Sequence, residues 1–332
     1  MQTTFITLII PTFRRPAYLR KCLRSVCCQD RLPDEVLVGI HESDLDSQPV
    51  LHEFNMVLNV RPVIHDGIGA VGSMNACLER ATGELIALVD DDVELPAFWL
   101  SRMCLHLHNH PTAVGVAGRD LLQDHPEMRR SEPTTLDVGR LHCYGRITGN
   151  HHRAGGPARA VDILRGSNCL FRATFLKSVG FEGSLRGKGA QVHWELALAL
   201  QAKIRHQHFF FDPSVEVIHN VAPRHDNDQI HRGKFDRDAT RALAFNESFV
   251  ILKHARGYFR ITSLLWQIFV GSSSCPGLVH FVFHLFRKDQ ALGPRLFATM
   301  AGRREALKVV IREPSRRLRV SGPKLPRRGF EN

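Results

Sequence analysis

Short apolar runs rich in branched side chains alternate with amphipathic stretches through the first 120 residues. This alternation constrains the fold most tightly. Residues 5–10 form one such run, closed by Pro11, and read as a buried strand. Residues 15–28 follow, with Leu19, Cys22, Leu23 and Val26 at helical spacing. Strand-like runs recur at 35–40, 60–64, 84–89 and 113–117. Helical patterns lie at 70–80 and from Pro96 onward, proline being well tolerated in a first helical turn. Strands alternating with helices predict an α/β fold, a mostly parallel sheet flanked by helices on both faces. Ligands of such sheets sit at the carboxyl ends of the strands, which sets residues 12–15, 41–44 and 90–92 along one edge.

The second part of the chain is less regular. Residues 123–157 are polar, with scattered Gly, Pro and His, and read as a long loop with room for a hairpin. A strand is expected at 161–165, then the turn Gly166-Ser167-Asn168, then helices at 173–178 and 191–202. Short strands at 208–211 and 215–219 and a helix at 238–254 complete the pattern.

Charge divides the chain. Lys and Arg number 44 against 33 Asp and Glu, a net of +11. Residues 253–332 carry 16 basic and 4 acidic side chains, so the first 252 residues are close to neutral. A nucleic-acid binder with a basic surface throughout is excluded, and the basic end lacks interleaved aromatics. Residues 261–286 contain no formally charged side chain; two apolar pieces flank the stretch GSSSCPG. A membrane span needs about 20 continuous apolar residues, and each piece is roughly half that. A buried hairpin, an interfacial hairpin and a span all stay open. Beyond them, residues 302–332 hold ten basic and three acidic residues, a solvated tail or an attraction to anionic headgroups. The opening apolar run is short and lacks a basic start, so no export signal is expected. The eight cysteines show no CxxC spacing and read as reduced thiols of a cytosolic chain.

Asp90, Asp91 and Asp92 follow the strand-like run ELIALV directly. Three adjacent carboxylates repel one another and require a counter-charge. A hard divalent cation supplies one and can hold a diphosphate as well. An acidic capping turn is the plainer account.

Four segments, LIIPTFRRPAYLRKCLRSV, PDEVLVGI, GSMNACLERATGELIALVDDDVELP and RGSNCLFRATFLKSVGF, give the first 180 residues a resemblance to glycosyltransferase family 2, whose fold is GT-A. The third segment is the most specific. The resemblance implies a glycosyltransferase domain over residues 1–252, with a Rossmann-like nucleotide-sugar half at 1–120 and an acceptor half at 121–252. An apolar helical hairpin and basic tail would occupy 253–332. It also implies inverting transfer of a sugar from a nucleotide-diphosphate donor to a glycan or lipid-linked acceptor. Thr12, Arg15, Asp44, Asn75, Asp90 and Asp91 would contact the nucleotide. Asp92 and His219 would hold Mg²⁺ or Mn²⁺. Gly166, Ser167, Asn168 and Trp194 would face the acceptor. The expected location is cytoplasmic, with peripheral contact at the inner face of the cell membrane through 253–332, and no nucleic-acid partner.

The departures from the family pattern are specific. The second strand ends Ile40-His41-Glu42-Ser43-Asp44 without paired aspartates, which leaves the base open. Met74 precedes Asn75 where an Arg is common. The usual Glu-Asp pair that supplies the catalytic base is missing; Gln191-Val192-His193-Trp194-Glu195 stands there. Glu195 is a carboxylate, and His193 is an imidazole that titrates near neutral pH. Two residues apart on a helix is about 200°, so they cannot exchange places and both stay candidates. A catalytically inactive relative that binds sugar nucleotide or glycan without turnover is the competing reading.

Overall fold

A computed structural model describes residues 4–122, 135–220, 222–223, 235–284 and 291–312. The expectations for the basic end beyond residue 312 and for residues 123–134 fall outside the described residues. The first elements run β1 (Ile6–Thr12), α1 (Pro16–Cys27), β2 (Glu35–His41), β3 (Val60–His65), α2 (Gly69–Arg80), β4 (Leu85–Val89), β5 (Val93–Glu94) and α3 (Trp99–Asn109). Then come β6 (Ala113–Leu122), β7 (Arg140–Leu141), β8 (Ile147–Thr148), β9 (Arg159–Val161), β10 (Asn168–Arg172), α4 (Ala173–Val179), α5 (Trp194–Ile204) and β11 (His208–His219). Four helices close the described chain: α6 (Arg237–His254), α7 (Gly257–Phe269), α8 (Leu278–His284) and α9 (Leu292–Arg312).

The main sheet has nine strands in the order β3-β2-β1-β4-β10-β6-β11-β5, with β9 paired to β11. β3, β2, β1 and β4 are parallel, and β6 is parallel to β11. β10 runs antiparallel between β4 and β6, and so joins the two halves into one sheet. Two apolar layers cover the sheet. One packs the buried face of α1, Leu19, Cys22, Leu23 and Val26, against β1, β2 and β4. The other packs α2 and α5 on the opposite face.

Several expectations change. The expected strand 161–165 is only β9, because residue 162 onward turns to bond Gly139: the amides of Asp162 and Ile163 donate to its carbonyl at 2.7 and 3.1 Å. The two short strands at 208–219 are one strand with a register shift between Asp212 and Glu216. α3 starts at Trp99 and α5 at Trp194, each three residues later than expected. The hairpin in the polar stretch is real, as β7 and β8.

The segment Ala81-Thr82-Gly83 works at the edge opposite the strand carboxyl ends. Glu35 is buried there and accepts from Thr7 Oγ1 at 2.6 Å and from the Thr82 amide and hydroxyl at 2.8 and 2.7 Å. Arg61 pairs with the same carboxylate. A Cβ on Gly83 would stand 2.5 Å from the Thr7 amide nitrogen, so only glycine lets the chain pass. A buried charge needs partners of this kind.

Candidate active site

The carboxyl ends of β1, β4 and β6 and the start of α5 enclose a cleft of about 1010 Å³. Asp90, Asp91 and Asp92 form its floor. Asp91 is buried and turns toward β1, where Thr12 Oγ1 donates to its Oδ2 at 2.6 Å. Arg15 Nη1 lies 3.2 Å from Asp91 Oδ1 and 3.1 Å from Asp92 Oδ2. Burial pushes the Asp91 carboxyl up. Burial also opposes the charge on Asp92, but His219, Arg15 and the Ala222 amide outweigh it and hold that carboxyl low.

His219, at the end of β11, sits between two carboxylates. Its Nε2 is 3.1 Å from Asp92 Oδ1, and its Nδ1 is 4.0 Å from Asp120 Oδ2. Both ring nitrogens are buried, and neither makes a hydrogen bond of good geometry. Burial alone would lower the imidazole pKa; the two carboxylates reverse this and raise it to about 10. Ligand atoms of Asp90, Asp92 and His219 lie within 4.8 Å of one another. Two carboxylates and an imidazole whose nitrogens lack well-formed partners fit a divalent cation.

Asp120 escaped the sequence reading. It is buried at the end of β6, accepts from Asn168 Nδ2 at 2.5 Å and from the Ser167 hydroxyl, and lies 3.3 Å from Arg165 Nε. Burial opposes its charge, yet these partners and His219 hold its pKa down at about 2. Its carboxylate faces the imidazole Nδ1, while Asp92 faces Nε2. The available signal was a charged pair, Arg119-Asp120, at the carboxyl end of an apolar run.

Thr12, Arg15, Asp90, Asp91, Asp92, His219, Gly166, Ser167, Trp194 and Glu195 all line the cleft. Four expected residues do not. Asp44 is buried and holds loops together, accepting from the Arg14 amide at 2.6 Å and the Ser47 hydroxyl at 2.7 Å. Arg14 has φ +54, a left-handed conformation that this bond supports. Asn75 exchanges two 3.0 Å hydrogen bonds with the backbone of Phe181, which ties α2 to the turn after α4. Asn168 spends its amide on Asp120 and on the Gly118 amide at 2.8 Å. His193 caps α5 in a left-handed conformation, φ +79, outside the cleft lining, and burial lowers its pKa.

Glu195, in the first turn of α5, reaches the cleft. Burial raises its carboxyl to about 7, only partly offset by the amides of Glu195 and Gly166 and by Arg165. Gly166 is required beside it: a Cβ there would stand 1.8 Å from the Trp194 ring. Phe13 and His41, within the segments expected along this edge, line the cleft at the ends of the first two strands, and His65, which the sequence reading passed over, lines it at the end of the third. Phe13 meets His41 edge-on at 5.9 Å between ring centres, and His41 meets His65 at 5.6 Å.

The sequence pattern of the family "Glycosyl transferase family 2" matches residues 7–179. The chain belongs to glycosyltransferase family 2. Among curated family relatives, a Bacillus subtilis protein provisionally named glycosyltransferase EpsH is 31% identical over 96 residues, covering 28% of this chain and 27% of the relative. The GalNAc(5)-diNAcBac-PP-undecaprenol beta-1,3-glucosyltransferase of Campylobacter jejuni is 29% identical over 101 residues, covering 30% of this chain and 33% of the relative. The chain thus spans about a third or less of the length of these relatives. Two solved structures share the GT-A fold. S. aureus TarS 1–349 with UDP-GlcNAc has a TM-score of 0.55 at 13% identity, covering 94% of this chain and 92% of that one. The mannosyltransferase PcManGT of Pyrobaculum calidifontis, with GDP-Man and Mn²⁺, also has a TM-score of 0.55, at 16% identity over 93% of this chain and 87% of that one.

Proposed function

We propose that this chain transfers a sugar from a nucleotide-diphosphate donor to a glycan or lipid-linked acceptor, with inversion at the anomeric carbon. One observation carries the reading. A carboxylate poised near neutrality, Glu195, shares a single cleft with the cation-ready group Asp90, Asp92 and His219. The family membership supports the reaction class. The solved neighbours, one in complex with UDP-GlcNAc and the other with GDP-Man and Mn²⁺, support the donor class and a divalent ion. The name of the Campylobacter relative supports a lipid-linked acceptor. Such an acceptor would bring the protein to the cytoplasmic face of a membrane.

Asp90, Asp92 and His219 would hold Mg²⁺ or Mn²⁺, with Asp120 orienting the imidazole. Bound there, the ion neutralises charge on the departing diphosphate. Arg15, Arg165 and Lys188 line the same cleft and add positive charge for the phosphate oxygens. Trp194 and the Gly166-Ser167 backbone form the acceptor side. Glu195 takes the acceptor hydroxyl proton onto its carboxylate, and its raised pKa suits it to keep that proton after transfer. The acceptor oxygen bonds to the anomeric carbon as the bond to the diphosphate breaks, and a single displacement inverts that centre.

The test is a thermal-shift screen of nucleotide diphosphates and nucleotide-sugars, with and without Mn²⁺, followed by transfer to a soluble glycan acceptor. A ligand at 100 times its dissociation constant adds about 2.7 kcal/mol. Stabilisation without transfer to any acceptor would favour the inactive relative. No Mn²⁺-linked stabilisation by any nucleotide would remove the donor site.

A further inference from the structure

Helix α7 turns a mixed side inward: its buried residues Thr262, Ser263 and Gln267 are polar, and Phe259 and Leu264 are partly buried against the core. Thr262 Oγ1 donates to the Cys143 carbonyl at 2.7 Å, and Ser248 Oγ donates to Gln267 Oε1 at 2.8 Å. Gly145 of the β7–β8 hairpin comes so near that a Cβ there would stand 2.4 Å from the Thr262 carbonyl. These contacts lock the rotation of the helix about its axis. Its outward side is apolar. Tyr258, Ile261, Leu265 and Ile268, between 40% and 72% exposed, follow spacings of three, four and three and make one stripe.

Helix α8 continues the pattern after a turn closed by the Gly277 amide on the Val270 carbonyl at 2.9 Å. It has no buried residue, and Leu278, Val279, Val282 and Phe283 are exposed. On α9 the exposed Leu307 and Ile311 lie among the exposed cations Arg304, Lys308 and Arg312. Residues 253–284 and 291–312 hold eight Lys and Arg against a single acid, Glu305. Glu305 is itself paired with Arg186 and Arg241.

Exposed apolar surface of this extent marks a binding face. Charge decides the partner. A second copy meeting this face across a two-fold axis would bring together two surfaces of the same positive sign. An anionic lipid surface complements both features: apolar side chains enter the acyl boundary while Lys and Arg meet the headgroups. We propose that α7, α8 and the outward face of α9 dock this protein on anionic bilayers, with α7 lying in the plane of the interface. Among the described residues no helix is long and apolar enough to cross a membrane, in keeping with contact from one side. The inference stands on the helices alone and is independent of the transferase reading, which its failure would leave intact.

Sedimentation of the full chain with vesicles of phosphatidylcholine, with and without phosphatidylglycerol, tests it. The expected result is binding to the anionic vesicles that weakens as salt rises, with little binding to the neutral ones. The double variant Ile261→Ser/Leu265→Ser removes two outward side chains and leaves every basic residue in place. It should bind at least tenfold more weakly at an unchanged melting temperature. The same protein is run by sedimentation velocity without lipid. Wild type that stays in the supernatant at low salt overturns the proposal. So does a double variant that binds like wild type, which would assign binding to other basic residues. A dimer that the double variant dissociates, with no vesicle binding, assigns the face to a second copy.

Discussion

The Nε2 atom of His219 lies 3.1 Å from Oδ1 of Asp92, although 127 positions separate the two residues in the chain. β5 brings them together: its residues Val93 and Glu94 pair antiparallel with His219 and Ile218 of β11. The first residue beyond the aspartates is thereby stitched to the strand that carries the imidazole. The cation-ready group is a product of strand order.

Asp92→Asn should keep the fold and lose Mn²⁺-linked nucleotide binding. The amide preserves volume but removes the charge that a divalent ion requires. Isothermal titration of nucleotide diphosphate with and without Mn²⁺ reads the effect, expected as a loss of tenfold or more in the Mn²⁺-dependent affinity. An unchanged Mn²⁺ dependence would remove Asp92 from the metal site.

Asp120→Asn should be costly to stability, since Ser167, Asn168, Arg165 and His219 all converge on its carboxylate. Breaking a buried charged network of this kind costs about 3–5 kcal/mol. Its folded pKa is depressed to about 2, so its contribution is present above the ordinary carboxylate range and lost as pH falls through that value. Urea unfolding at pH 7 checks the cost; a change below about 0.5 kcal/mol would place the network's weight elsewhere.

Glu195→Gln should keep donor binding and abolish transfer. In the unaltered protein, activity should rise with pH through about 7 as the carboxyl ionises. The stability effect has the opposite sign. A carboxyl whose folded pKa is raised from 4.5 to about 7 binds more protons folded than unfolded, so its ionisation erodes stability as pH rises across that window. Above pH 7.5 the Gln variant should therefore melt higher than wild type, by roughly 2–4 °C for each kcal/mol regained. Near-normal turnover of the Gln variant would exclude Glu195 as the base.

Gly166→Ala should drive a methyl group into the Trp194 ring. Overpacking of this kind costs about 1–3 kcal/mol. The double variant Gly166→Ala/Trp194→Leu should cost less than the sum of the two single changes, because the clash disappears with the ring. Strict additivity in chemical denaturation would show that the ring moves aside freely.

What the sequence determined by itself is what neighbours along the chain determine. Residues 6–12 and 85–89 are strands because branched apolar side chains run unbroken there, and α1 shows its buried stripe at 3.6-residue spacing. Three carboxylates directly after β4 had to lie at the carboxyl edge of the sheet, and Glu195 and His193 could be named as competing bases. Tertiary structure decided the rest. β10, Asn168–Arg172, is as short as β4 and almost as fully buried but has no β-branched side chain, and only its partners β4 and β6 make it a strand. Asp120 gains its place behind His219 through the parallel register of β6 and β11. His193 and Glu195 part because α5 begins between them, leaving one as a cap and the other at the cleft. On α7 apolar residues lie around most of the helix, and the sequence does not say which of them face outward. The hydrogen bonds of Thr262 to the Cys143 carbonyl and of Ser248 to Gln267, made with a distant hairpin and a neighbouring helix, leave Ile261, Leu265 and Ile268 on the outer side. Pairings between remote segments carry no local sequence signal, because their energy comes from partners that only the fold assembles.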